Sequence, residues 1–307
     1  MNFTLNQLRI FLQITKSQSI TKAAEELFLT QPAVSIQLKK FQEQFSIPLT
    51  EVIGRRLFIT DFGKEIAKAV EKILSEIEAI NYQSLTYEQL LAGKLKISVA
   101  STGKYVMPYF LSEFVNEHRG IDLTMNVTNK SLVIKSLENN EVDFALVSIV
   151  PNEIDTHKIS LLQNKLYLIG SKKFGLQKSK NIRDIFKKYP LLFREKGSAT
   201  RNVMEEFIAK QELPVFKKME LTSNEAVKQA VIAGLGYSVM PIIGLKDALT
   251  NNDLEIIHYK GLPIYTNWNL VWLKSKNLSP IAEEFLKYIK ANKERIKQAN
   301  FNWYESY

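Results

Sequence analysis

SITKAAEELFLTQPAVSIQLKKFQEQF, residues 19–45, decides how the N-terminal part of this chain folds. Ser19 is a good helix N-cap, because its hydroxyl can accept from a backbone N–H of the first turn. Ile20, Ala23, Ala24 and Leu27 then follow the i, i+3, i+4, i+7 spacing of a helix with one buried face. Phe28-Leu29 is a short turn. Thr30 is placed to cap the next helix, and Pro32 is tolerated in a first turn whose N–H groups have no helical partner. Val34, Leu38, Phe41 and Phe45 share one face of that helix, while Pro32, Ser35, Ile36, Lys39 and Lys40 point away from it. Two short helices joined by a tight turn, the second carrying small and polar residues outward, make a helix-turn-helix. Serine and glutamine on such a helix can hydrogen-bond base edges in a major groove.

Leu5, Leu8, Phe11 and Leu12 predict a preceding helix with one buried face. LTEVIGRRLFIT (49–60) follows the reading helix, and Gly54 with Arg55 and Arg56 suits the tip of a two-stranded wing. Arginines there can reach phosphates or a narrow minor groove. Helix-turn-helix spacing arises often by chance, and three core helices with a solvated turn would show the same pattern. Thr60 can cap a further long helix. Along it Ile66, Val70, Ile73, Ile77 and Ile80 alternate spacings of four and three, and the series continues through Ser84, Tyr87 and Leu91. That heptad seam favours pairing with a second chain over packing on its own domain.

From residue 94 the pattern changes to strands, KLKISVA (94–100), IDLTMNV (121–127), VDFALVS (142–148) and KLYLIGS (165–171), with helices over 104–118 and 130–139. The alternation predicts an α/β domain with a parallel sheet. It continues with PLLF (190–193), helices near 200–211 and 224–233, YSVMP (237–241), NLVWLK (269–274) and a last helix near 280–297. The expected divisions are 1–60 for the DNA-binding unit, 61–92 for the linker helix and 93–307 for the α/β domain.

In an open α/β sheet the carboxyl ends of the strands form the binding crevice. Ser101 and Thr102 follow the first strand at a helix start, Thr128 follows the second and Ser148 the third. Free N–H groups at a helix start suit an anion. REKGSATR (194–201) adds Arg194, Ser198 and Arg201, and Ser223 and Asn224 open another helix. Each alone is also an ordinary cap or turn residue. Arg201 is the residue expected to clamp a carboxylate or phosphate in a bidentate contact.

Composition bounds the function. The 307 residues suggest two or three domains, and the absence of cysteine excludes disulfides and thiol chemistry. No apolar run is long enough for a transmembrane helix and the start lacks a signal-peptide pattern, so a cytoplasmic protein is expected. The net charge of +9 is no DNA footprint: residues 1–65 hold a net +2, residues 155–220 a net +8. A solvated lysine-rich face explains the latter, with a bias toward acidic ligands as the lesser reading. His118, His157 and His258 show no metal-ligand spacing, and no nucleotide loop or nucleophile elbow occurs, so neither metal, cofactor nor catalysis is expected.

The combined strings LNQLRIFLQI, SITKAAEELFLTQPAVSIQLKKFQEQF, GRR and ITDFG resemble the LysR-type transcriptional regulators, and AGLGYSVMP and SPIAEEFLKYI extend the likeness toward the C-terminus. SNEAVKQAV (223–231) looks most like the branch that includes regulators of carbon-fixation and sulfur-assimilation operons. The resemblance implies that Gln31, Pro32, Ser35 and Ile36 face the major groove and that a wing arginine enters the minor groove. It also implies a two-lobed effector domain like periplasmic binding proteins, with lobe one at 93–165 plus 268–307 and lobe two at 166–267. Its other implications are a dimerising linker helix and usual assembly as tetramers. Two positions depart from the family pattern. Ile36 stands where a polar or basic residue is usual, and Val52 where an arginine is. The expected partners are double-stranded DNA, a small anionic effector, and further copies in a homodimer or homotetramer, with RNA polymerase as a further candidate. The competing readings are a cytoplasmic solute-binding protein with an N-terminal helical appendage, and an enzyme on a two-lobed fold.

Overall fold

The computed structural model describes every residue except 1, 55, 88–90, 152 and 175–181, and for 78, 79, 81–87, 174 and 182 the backbone alone. The chain divides into two compact units, Met1–Leu90 and Leu91–Tyr307.

In the first unit, α1 (Leu5–Ser17), α2 (Ile20–Glu26) and α3 (Gln31–Gln42) surround a core of Leu8, Ile10, Phe11, Ile14, Val34, Leu38 and Phe41. Ile10 and Ile14 take the inner face of α1, whereas Leu5 stays 45% exposed, so the buried stripe is rotated from the expected one. Each buried Leu, Ile or Phe contributes roughly 1.5–3 kcal/mol, which outweighs the weak propensity of helices this short. Thr4 closes a capping box with Gln7 on α1, and Ser19 accepts from the Lys22 N–H on α2. Thr30 stands at the N-cap of α3 without a side-chain bond, which leaves its hydroxyl outward and exposed. Strands β1 (Thr50–Ile53) and β2 (Arg56–Ile59) pair antiparallel as a hairpin, with Val52 opposite Leu57. Gly54 supplies the positive φ that its turn requires.

The long helix α4 (Asp61–Tyr87) starts where Thr60 Oγ1 accepts from the Gly63 N–H and donates to the Pro48 carbonyl. Its first turns belong to the DNA-binding core: Val70 is buried there and Ile66 packs against it. The expected heptad seam is therefore divided. Ile66 and Val70 are committed within the unit, because α4 lies against α1 over that stretch. Ile73 and Ile80 are exposed and Ile77 half-exposed, so they are not committed within the unit. The side chains of Ser84 and Tyr87 lie outside the described residues.

The second unit is built on a seven-stranded sheet. Strand β3 (Ala92–Ala100) pairs parallel with β4 (Gly120–Thr128) and with β5 (Phe144–Val147), linked through α5 (Met107–Glu117) and α6 (Lys130–Glu138). These two crossovers are the parallel βαβ units expected. The rest of the sheet is not parallel. Strand β6 (Thr156–Ser171) leaves lobe one and β11 (Ile264–Leu273) returns to it, pairing antiparallel along almost their whole length. A chain that must go out to a second lobe and come back travels in opposite directions at the crossing, so the sheet is mixed.

Lobe two places β7 (Leu191–Arg194) parallel to β8 (Lys218–Leu221). It packs them with α7 (Ile182–Lys188), α8 (Ala199–Lys210) and α9 (Asn224–Ile232). Strands β9 (Ser238–Pro241) and β10 (Leu254–Ile257) flank the outer half of β6, with the short α10 (Lys246–Thr250) between them. Alternation along β6 separates two cores: Leu166 and Leu168 enter one with Phe193 and Phe207, while Tyr167 and Ile169 face the larger one that runs through lobe one. The last helix α11 (Pro280–Phe301) packs on α5, and the turn after it buries Tyr304 beneath β6. There the buried Lys165 ammonium donates to the Tyr304 and Tyr307 carbonyls, and its backbone N–H donates to the Tyr304 hydroxyl.

Candidate functional site

The first candidate surface is the outer face of α3. Gln31, Pro32, Ile36 and Lys39 are exposed with Thr30, Ser35 is half-exposed, and all lie opposite the buried Val34, Leu38 and Phe41. Ile36 is 54% exposed, an apolar side chain amid polar neighbours. Arg56 stands exposed on β2, while Arg55 lies outside the described residues. The turn before α3 carries Phe28 at a positive φ and 96% exposed. Gly63 allows α4 to approach the wing closely: a Cβ there would sit 2.1 Å from the Leu49 carbonyl oxygen. Sequence reasoning assigned that glycine no role.

The second candidate is a narrow cleft between the lobes of the effector unit, with about 10 Å³ of free space. Ser101, Thr102, Ser148, Ser198 and Asn224, expected from strand and helix ends, are all brought to its walls. Asn129, Lys130, Arg194, Thr200 and Trp268 line it with them. Arg194 and Lys130 are its cations, and of the two Arg194 is the buried one. It ends β7 with 3% of its surface exposed, and its Nη1 donates to Ser101 Oγ at 3.4 Å. Ser101 Oγ also accepts from Asn224 Nδ2 at 3.2 Å, so its own proton remains available to an acceptor. The Trp268 indole N–H and Asn224 Oδ1 are buried without a partner. Ser198 occupies the N-cap of α8 and makes no side-chain capping bond. The walls thus offer a guanidinium, an ammonium, hydroxyls and the first turn of α8, and among the described residues no Asp or Glu side chain lines them. Such a surface favours an anion.

Three expected residues are not on these walls. Thr128 ends β4 opposite Ala100 and faces elsewhere. Ser223 spends its hydroxyl on the Ala226 N–H as the cap of α9. Arg201 is turned away, because it forms ion pairs with Glu205 and Glu220 and donates to the Arg194 carbonyl at 2.9 Å. The Glu220 hydrogen bond, opposed by burial, holds its guanidinium charge more firmly than usual. Arg194 takes the position expected of Arg201. The signal for it was present, since Arg194 closes a strand just as Thr128 and Ser148 do. Trp268 carried no such signal: it is a core residue of β11 whose ring edge reaches the cleft only through the fold.

Polar contacts hold the lobes together around this cleft. Ser131 N–H donates to the Gly197 carbonyl at 3.2 Å, and Gly197, at φ 87°, leaves no room for a Cβ, which would meet Ser131 Oγ at 2.8 Å. Tyr105 donates its hydroxyl to Glu225 at 3.0 Å. Burial and that bond push the Tyr105 hydroxyl pKa well above its ordinary value. Glu225 is held below the usual carboxylate range, since hydrogen bonds from Lys228, Gln229 and Tyr105 outweigh the burial that opposes its charge.

A helix-turn-helix with a wing, a long helix with an exposed apolar edge, and a two-lobed α/β unit with an anion-suited cleft define a ligand-responsive DNA-binding regulator. Comparison with known proteins gives the family. The chain matches the bacterial regulatory helix-turn-helix domain of the LysR family over residues 5–64, and the LysR substrate binding domain over 88–294. It belongs to the LysR-type transcriptional regulators. It is 36% identical over 299 residues to the HTH-type transcriptional activator CmpR of Synechocystis sp., covering 97% of this chain and 98% of that protein. It is 33% identical over 300 residues to a RuBisCO operon transcriptional regulator of Allochromatium vinosum, covering 96% of this chain and 98% of the relative. The carbon-fixation likeness of SNEAVKQAV is thus matched along the whole chain. Among solved structures, the Synechocystis CcmR regulatory domain in complex with 2-PG is 33% identical, with TM-score 0.61 over 66% of this chain and 98% of that one. Full-length CbnR complexed with its target DNA shares the fold at 17% identity, TM-score 0.64, covering 94% and 99%. Among the described residues no helix is long and apolar enough to cross a membrane.

Proposed function

We propose that this LysR-type regulator controls carbon-fixation genes in response to a compact phosphorylated or carboxylated anion held between its lobes at Arg194. The buried, cleft-lining Arg194 is the observation that carries the reading, and the 2-phosphoglycolate complex of the related CcmR domain supports the same ligand chemistry. Ser101, Thr102, Ser148, Ser198 and Asn224 supply the neutral part of the site. A ligand that touches both lobes binds one lobe angle better than others, and only that difference shifts the population of DNA-bound states. The chain acts by binding rather than catalysis, a reading supported by relatives that are transcriptional regulators.

On the DNA side, Gln31, Pro32, Ser35 and Ile36 read the major groove and Arg55 and Arg56 hold the backbone or minor groove, with Thr30 and Lys39 at the edges of the contact. Two copies joined through Ile73, Ile77 and Ile80 of α4 present two reading helices to an approximately palindromic operator, and pairs of dimers make the tetramer.

Calorimetry with 2-phosphoglycolate, inorganic phosphate, sulfate, glycolate and uncharged controls tests the effector. Binding by at least one anion is expected, and binding of neutral compounds alone refutes the reading. A gel shift with DNA upstream of the protein's own gene tests the regulator. There, replacing thymines with uracil should weaken binding wherever Ile36 meets a thymine methyl, and an operator indifferent to every such replacement would remove Ile36 from the interface.

A further inference from the structure

The buried cation of the cleft, Arg194, is not free to meet a ligand with its full fork. Arg194 Nε donates to Glu195 Oε2 and Arg194 Nη2 donates to Glu195 Oε1, both at 2.8 Å. This is the two-point geometry in which arginine holds any carboxylate. Only Nη1 is turned to the cleft, and its bond to Ser101 is long. Glu195 follows Arg194 at the end of β7, its side chain is 15% exposed, and it does not line the cleft. The guanidinium is thus buried with its charge balanced by its own neighbour. The donors beside it behave differently: Trp268 Nε1 has no partner and the Ser198 hydroxyl makes no capping bond.

We infer that Glu195 is a built-in competitor for the effector, a tethered carboxylate holding the arginine fork away from the cleft until an incoming anion draws the guanidinium round and takes the fork over. This rests on the anion-site reading above and adds a mechanism of regulation to it. A buried ion pair deprived of one partner is strongly destabilised, so the cation stays paired when the cleft holds no ligand. The same pairing sets a threshold. An incoming anion must offer the fork more than a carboxylate tethered one residue away already does. A monocarboxylate presents the chemistry that Glu195 presents and gains little from the exchange. A phosphoryl group brings a higher charge and a third oxygen, which can also take the Ser101 proton. Displacement of Glu195 frees a carboxylate at the start of the loop that carries Gly197, whose carbonyl bonds Ser131 of the other lobe. Occupancy of the fork is thereby linked to a contact that holds the lobes together.

The test uses the full chain, 2-phosphoglycolate and glycolate as probes, and the variants Glu195→Gln and Glu195→Asp. Glu195→Gln keeps the side-chain shape and an acceptor oxygen but removes the charge that competes. It should tighten 2-phosphoglycolate binding by about tenfold, equal to about 1.4 kcal/mol, and raise glycolate affinity by a larger factor, narrowing the preference between them. Glu195→Asp keeps the charge but shortens the arm that spans both fork nitrogens, and should give a smaller gain in the same direction. Unchanged or weaker binding in Glu195→Gln would mean that Glu195 only orients Arg194, and overturns the proposal. A gain in Glu195→Gln with wild-type affinity in Glu195→Asp would show plain charge repulsion without occupancy of the fork, and also overturns it. If wild type and both variants bind no anion at all, the anion-site reading fails and the competitor fails with it. If all three bind equally, the site stands and the competitor alone is refuted.

Discussion

Replacing Arg201 with alanine separates a ligand contact from a structural strut. Arg201 forms ion pairs with Glu205 and Glu220, whose side chains are 40% and 53% exposed, so solvent screens both and each is worth about 0.5 kcal/mol. Its Nη1 also satisfies the carbonyl of the buried Arg194, and leaving that oxygen without a donor costs about 1–3 kcal/mol. The guanidinium lies 5.8 Å from the Phe193 ring centre, worth about 0.5–1 kcal/mol. Together these come to about 2.5–5 kcal/mol. For a unit of this size about 2–4 °C is lost per kcal/mol, so melting of Arg201→Ala should fall by about 5–20 °C. Affinity for 2-phosphoglycolate should fall less than about fivefold, because Arg201 acts on the cleft only by positioning Arg194 through its carbonyl. Arg194→Gln should also melt earlier, because Glu195 loses its partner, but it should lose far more of the anion binding than Arg201→Ala does. Charge-assisted hydrogen bonds to a bound anion are worth about 1.5–3 kcal/mol each, so its loss should weaken binding by about a hundredfold. Thermal denaturation and calorimetry on the two variants decide the matter. An Arg201→Ala protein that melts like wild type but binds the anion a hundredfold more weakly would refute the assignment and return the clamp to Arg201.

Other consequences follow from the same contacts. Ile73→Asp with Ile77→Asp places two charges on the exposed edge of α4 and should reduce the oligomer seen by sedimentation; an unchanged sedimentation coefficient would exclude the seam as the main contact. Gly63→Ala puts a methyl 2.1 Å from the Leu49 carbonyl oxygen and should destabilise the DNA-binding unit by about 1–3 kcal/mol, read as earlier melting and weaker operator binding, whereas a neutral substitution would show that the wing shifts freely. Glu113 is held down to about 2 by hydrogen bonds from Arg295 and then Tyr288. Its folded pKa lies below the unfolded value of 4.5, so its contribution is present above that value and is lost as pH falls toward 2. Wild type should therefore lose more melting temperature than Glu113→Gln between pH 5 and about 2, and parallel curves would contradict the pairing.

What residue order settled by itself was local and periodic. Ser19, Thr60 and Ser223 cap helices because their hydroxyls stand one residue ahead of free backbone N–H groups, a rule of position that Thr30 and Ser198 do not follow. The faces of α2 and α3 follow from the period of 3.6 residues, and β3, β5, α5 and α6 from the switch between that period and two. The same logic brought Ser101, Ser148 and Asn224 to one cleft, since the carboxyl ends of parallel strands converge. Decisions among chemically equal candidates lay beyond it. Arg194 and Arg201 stand seven positions apart in one motif and either could hold an anion. Residue 194 faces inward because it ends a buried strand, and residue 201 is drawn off by Glu220, nineteen residues further along the chain. Ile66 and Ile73 carry the same side chain at equivalent heptad positions. Only the neighbouring α1 draws the first against the core and leaves the second exposed. The antiparallel crossing of β6 with β11 and the placing of Trp268 at the cleft depend on distances across the fold. Periodicity fixes which way a side chain points along its own element; what it meets there is decided by residues a hundred positions away.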